Sequence, residues 1–155
     1  MLYGAFKIIH LLGVILLIGN VTVTACWKLY ADRTRNTVII AHAQRLVTIT
    51  DWAFTFWGIL LTVIGGYGAG WLIGLDPFRT RWIVGTEILF VVSGCIWLGI
   101  LLPIQFRQAK QARLFAVDGN IPESYFRAGR VWLVWGLVAT VPLVSAISLM
   151  VYKSD

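Results

Sequence analysis

Polar positions in this chain fall into short clusters, and the stretches between them are apolar on every side. Four such stretches stand out, at about residues 2–28, 44–72, 82–114 and 124–151. Each supplies the roughly 20 apolar residues that a hydrocarbon core about 30 Å thick requires of a helix. The first meets a polar break at Lys28, Tyr30, Asp32, Arg33 and Arg35, and the second ends at Gly74, Asp76 and Pro77. The third is apolar from Trp82 to Phe106. It then carries Arg107, Lys110 and Arg113 among good helix formers, which predicts a basic helical extension beyond the lipid. Asp118, Gly119, Asn120 and Pro122 make the third turn. The pattern predicts an all-α chain of one domain, a four-transmembrane-helix bundle running up-down-up-down. A β-barrel would need short alternating strands, and none are present.

Glycine and proline inside the runs agree with this reading, because both are commoner in membrane helices than in soluble ones. Gly66 and Gly70 have the spacing of a close helix contact, and Pro103 and Pro142 predict kinks. The first stretch is about twice the length of a signal-peptide core and lacks a small-x-small cleavage site, so it reads as a retained helix.

Composition removes other classes. Of 155 residues, 59% are hydrophobic and 13% charged, against about 25% charged in an average soluble domain. Mean hydropathy is +0.81. The net charge of +6 does not indicate nucleic acid, since the bases sit in short segments between apolar runs. Their distribution predicts orientation instead. Loops one and three are flanked by Lys28, Arg33, Arg35, Arg45, Arg107, Lys110, Arg113, Arg127 and Arg130; the other side has Lys7, Arg79, Arg81 and Lys153. The inside-positive rule places the first set in the cytoplasm and both termini outside. Trp71 and Trp82 flank the outer loop, and Trp27 and Trp52 lie near the inner interface. Cys26 and Cys95 lack metal-ligand spacing and read as buried thiols.

Ionisable side chains within a span are costly and mark candidate sites. His10, Asn20, Asp51 and Glu87 lie in the runs, with Lys7, Lys28, His42, Arg45 and Gln105 toward the interfaces. Two polar layers are expected. His10 and Glu87 fall at similar depth at about 1.5 Å per residue, with Lys7 one turn from His10. Asp51 is expected within reach of Asn20, Thr24 or Lys28, its charge offset by Lys28 or Arg45. The residues leave His10 open between a packing hydrogen bond, proton relay and haem ligation. His42 lies at the opposite side of the membrane, which disfavours a bis-histidine haem.

The segments Phe6-Lys7-Ile8-Ile9-His10-Leu11-Leu12-Gly13, Gly19-Asn20, Trp27-Lys28 and Ala31-Asp32-Arg33-Thr34 carry a family likeness. So do Asp51-Trp52-Ala53-Phe54-Thr55 and the region of Pro103 and Gln105. Together they resemble, over essentially the whole chain, the bacterial integral-membrane family known as domain of unknown function 2269. That resemblance implies four helices in the bacterial cytoplasmic (inner) membrane and brings no activity with it. Lys7-x-x-His10 is more distantly similar to the opening of the small four-helix membrane protoporphyrinogen oxidases, which bind haem b. Copper-resistance-type membrane domains also have early histidines. This second resemblance implies His10 as an axial ligand to haem iron, with Lys7 beside it; the residues alone also allow a single haem with Lys7 or a water opposite His10.

Three functions are expected from these features. The first is a structural or accessory membrane component, embedded in the lipid bilayer alone or with a homo-oligomeric or complex partner. The second is a haem b-binding redox protein. The third is a transporter or channel component, which needs a polar path from His10 and Glu87 to Asp51.

Overall fold

A computed structural model describes residues 1–152; Lys153, counted above, lies outside them. The protein is all-α, with four long helices spanning Leu2–Thr34, Thr37–Leu72, Arg81–Asp118 and Glu123–Tyr152. All four are long and apolar enough to cross a membrane, and they alternate in direction.

The helices run past the apolar stretches, for reasons visible at their ends. The first continues through its polar segment to Thr34 and stops where Arg35 turns left-handed, at φ 51°. Asn36 then caps the second helix by accepting from the Val38 and Ile39 amides at 3.0 and 3.2 Å. The first loop is thus only two residues long. At the end of the third helix, Gly119 takes φ 72° and its amide donates to the Phe115 carbonyl at 2.9 Å, a geometry glycine adopts without a Cβ clash.

Two helices contain a wider π turn. In the third it covers Trp97–Leu101, immediately before Pro103. Proline offers no amide proton and crowds the carbonyl four residues back, here Gly99, so the expected kink takes the form of a π turn. In the second helix the π turn covers Asp51–Phe56, a stretch without proline. Pro142 lies inside the unbroken 30-residue fourth helix. There Ser93 Oγ donates to the Ala139 carbonyl at 2.8 Å, three residues before the proline. A neighbouring helix thereby serves a backbone group close to the disturbed turn.

The two ends of the bundle are built differently. At the end holding loops one and three, hereafter the basic end, the four helices close a ring in chain order, each touching the next and the fourth touching the first. At the end holding the described terminal residues and loop two, the terminal end, the ring opens. There the first helix packs on residues Trp57–Leu72 of the second, and Arg81–Ile96 of the third packs on the fourth. Among the described residues, Trp57–Leu72 has no Cα within 8 Å of Arg81–Ile96 or of the fourth helix, and the first helix has none within 8 Å of Arg81–Ile96.

Small residues create the tight pair. A Cβ at Gly13 would overlap the Thr62 backbone, and one at Gly65 would overlap the backbone of His10. A Cβ at Gly58 would stand 3.0 Å from the Gly13 carbonyl oxygen. Lipid supplies no hydrophobic drive between helices, so close backbone packing of this kind must hold them. The glycines concerned differ from the expected Gly66 and Gly70: Gly70 faces open space, and Gly66 lies beside the His10 ring. Cys26 and Cys95 are likewise corrected. Both are exposed on the bundle surface, because the buried stripe of the first helix follows Gly13, Leu17, Asn20, Thr24, Lys28 and Ala31, leaving Cys26 off it.

Candidate functional site

The largest fully buried side chains include Tyr125, Gln44, Gln105, Gln108 and Thr55, together with Phe115, Ile40 and Val47. Half of this core is polar, and it lies toward the basic end. The second, third and fourth helices supply it, and the first adds the buried Asn20, Thr24 and Lys28.

Its deeper part is a ring around Asp51. Asn20 on the first helix donates one amide hydrogen to Asp51 Oδ1 and the other to Thr55 Oγ1, each at 2.9 Å. Across the π turn, Thr55 Oγ1 donates back to Asp51 Oδ1 at 3.0 Å. Gln105 Nε2 on the third helix donates to Asp51 Oδ2 at 2.9 Å. Three neutral donors therefore surround this carboxylate. Neither Lys28 nor Arg45, the cations expected to offset it, is bonded to it. Lys28 lies two turns nearer the end of its helix and pairs locally, and Arg45 is exposed.

Nearer the basic end, Lys28 is 3% exposed. Its ammonium donates to Tyr125 Oη at 2.9 Å and to Asp32 Oδ2 at 3.2 Å. The i, i+4 spacing of Lys28 and Asp32 places both on one helix face. The Tyr125 hydroxyl also stands 3.2 Å from Gln44 Oε1 and 3.4 Å from Asp32 Oδ1, two acceptors for its single proton. Gln108 Nε2 donates to the Tyr125 carbonyl at 3.2 Å. The two parts join through Gln44 Nε2, which donates to the Gln105 backbone carbonyl at 3.5 Å, the longest bond of the set. Phe115 and Tyr125 meet edge to face at 5.2 Å and close the site toward loop three.

Satisfaction is incomplete. Gln105 Oε1, Gln108 Oε1, Trp27 Nε1 and Trp132 Nε1 are buried without a partner among the described residues. Two clefts flank the network. One, of about 340 Å³, lies between the first and fourth helices and includes Lys28, Asp32, Arg130 and Trp132 in its walls. The other, of about 710 Å³, lies between the second and third and includes His42, Arg45 and Arg113.

The residues expected in the outer layer have separate partners. His10 is half-buried, and its Nδ1 donates to the Thr62 carbonyl at 2.8 Å. Glu87 Oε1 instead accepts from Tyr67 Oη at 2.7 Å. Similar depth did not bring His10 and Glu87 together because the first helix packs against the second, with the third on the far side. Lys7 is exposed. Between the His10 level and Asn20, Gly13 and the buried Leu17 press against Gly58 of the second helix. No group of three or more His, Cys, Asp and Glu side chains suited to a metal ion occurs among the described residues.

Several members of the network were not singled out from the sequence: Asp32, Gln44, Thr55, Gln108 and Tyr125. The available signal was spacing. Asp51 and Thr55, and Lys28 and Asp32, are i, i+4 pairs, each sharing a helix face.

Fold and site together define a small four-helix integral membrane protein joined at one end by a buried polar network. The chain belongs to a family described as predicted integral membrane protein (DUF2269), whose model matches residues 5–154. No curated protein and no solved structure matches it.

Proposed function

We propose that this protein is a structural or accessory component of the bacterial cytoplasmic membrane, with its basic end in the cytoplasm and both termini outside. One observation carries the reading. Buried polar side chains from four helices hydrogen-bond chiefly to one another, from Asn20 and Asp51 through Gln105 and Gln44 to Tyr125 and Lys28. Interhelical bonds of this kind hold membrane helices in register. They suit a rigid element that presents its surfaces to lipid or to a membrane partner.

The transporter reading needs a polar path between the His10 and Asp51 levels, and the Gly13–Leu17 contact with Gly58 opposes one. The haem reading keeps one favourable feature. A histidine that donates through Nδ1 to a carbonyl has its Nε2 free for a ligand. The test is an absorption spectrum of the purified protein with a stability measurement on Asp51→Leu. A colourless, folded wild type and a destabilised Asp51→Leu are expected. A Soret band abolished by His10→Ala would overturn the structural reading in favour of haem. A reporter active only in the cytoplasm should stay silent at the C-terminus; activity there reverses the orientation.

A further inference from the structure

We infer that the cleft between the first and fourth helices at the basic end binds an anionic phospholipid, its phosphate held by Arg35 and Arg130 and its chains lying along the apolar wall. This site does not depend on the structural reading above.

The charge in the cleft is unbalanced. Lys28, Arg33, Arg35 and Arg130 line it against only Asp32 and Glu123. Lys28 is already bonded to Asp32, at 3.2 Å. Among the described residues, no carboxylate comes within ion-pair distance (4.0 Å) of Arg33, Arg35 or Arg130. Arg35 is exposed, with its guanidinium over the Phe126 ring, 5.2 Å from the centroid. A guanidinium positioned this way presents its fork to phosphate oxygens.

The apolar part of the wall points the same way. Trp132 lines the cleft and is 8% exposed. Beyond Trp132 the wall becomes apolar, with Ala25, Leu29 and Leu133. A cleft basic toward the aqueous end and apolar toward the lipid matches an amphiphile, whereas a free anion would use only half of it. The first and fourth helices also touch less than any other touching pair, so the cleft opens sideways to the bilayer. Basic pockets between membrane helices recognise acidic headgroups in this manner.

Native mass spectrometry of the full, delipidated protein titrated with short-chain phosphatidylglycerol or phosphatidylcholine tests the site. Wild type should prefer phosphatidylglycerol by about tenfold or more. Arg35→Gln with Arg130→Gln should abolish the preference, and both side chains are exposed, so folding should persist. Arg79→Gln with Arg81→Gln, at the terminal end, should leave the preference intact. Equal binding of the two lipids, or a preference surviving in the Arg35/Arg130 variant, would overturn the proposal. So would displacement of phosphatidylglycerol by inorganic phosphate at equal concentration, which would assign the cleft to the free ion.

Discussion

The two ends of this bundle solve the same problem by opposite means. At the terminal end, the first and second helices approach so closely that a Cβ at Gly13 or Gly65 would collide with backbone and one at Gly58 would crowd it. At the basic end, the helices stand far enough apart to hold tyrosine and glutamine side chains between them, and hydrogen bonds tie all four. Lipid makes both solutions necessary, since apolar side chains gain nothing by leaving one hydrocarbon environment for another. Glycine packing joins helices two at a time, because a groove without side chains receives one neighbour. A polar side chain with several donors or acceptors can reach more than one. The basic end is therefore a four-helix ring, and the terminal end is two pairs.

Gly65 is where the tight pair depends most on a missing side chain. Gly65→Leu should destabilise the protein by about 3 kcal/mol or more, since the side chain would overlap the His10 backbone and separate the tight pair. Gly70→Leu, at a glycine facing open space, is the control and should have almost no effect. Unfolding in graded denaturing detergent measures both. If the two variants behaved alike, close backbone packing would not be what joins this pair.

Asp51→Leu comes next, at about 2 kcal/mol. It leaves donors from Asn20, Thr55 and Gln105 without their acceptor. Its effect should extend across helices, loosening the contact of the second with the third as well as with the first. Tyr125→Phe should cost about 1 kcal/mol, removing the hydroxyl shared by Lys28 and Gln44 while keeping the ring against Phe115. Hydrogen exchange should show the loss confined to the basic end. A loss of protection at Gly13 or Gly58 would mean that the two ends are one cooperative unit and not two separate ones.

The sequence made the spans legible because lipid imposes a length and an apolarity that few other folds share. Asp51, Asn20 and Gln105 were legible as costly residues, but their pairing was not. Spacing along a helix gives depth, while pairing also depends on which helices are neighbours and how each is rotated. His10 and Glu87 illustrate the first gap, sharing a depth but not an interface. Asp51 illustrates the second. Charge arithmetic favoured Lys28 or Arg45 as its partner, whereas the helix faces place three neutral donors there. Asp32 was hidden for a different reason: it looked like the start of a loop, and the helix continues past it to Thr34.

The smallest expected effect lies at the open, terminal end. At the terminal end, Tyr67 and Glu87 form a side-chain hydrogen bond between the two helix pairs, at 2.7 Å and on an exposed surface. Exposed bonds contribute little, and interhelical bonds in membranes average about 0.6 kcal/mol, so Tyr67→Phe should lower stability by about 0.5 kcal/mol or less. Its effect on geometry should be larger than its effect on energy. With the pairs bridged so lightly, removing the hydroxyl should broaden the distance between spin labels placed at Ile64 and Val91, one on each pair. The same labels should report no change in Tyr125→Phe, whose bonds lie at the basic end. An unchanged distance in Tyr67→Phe would mean that the ring at the basic end alone fixes the angle between the pairs. The polar network would then set the geometry of the whole molecule.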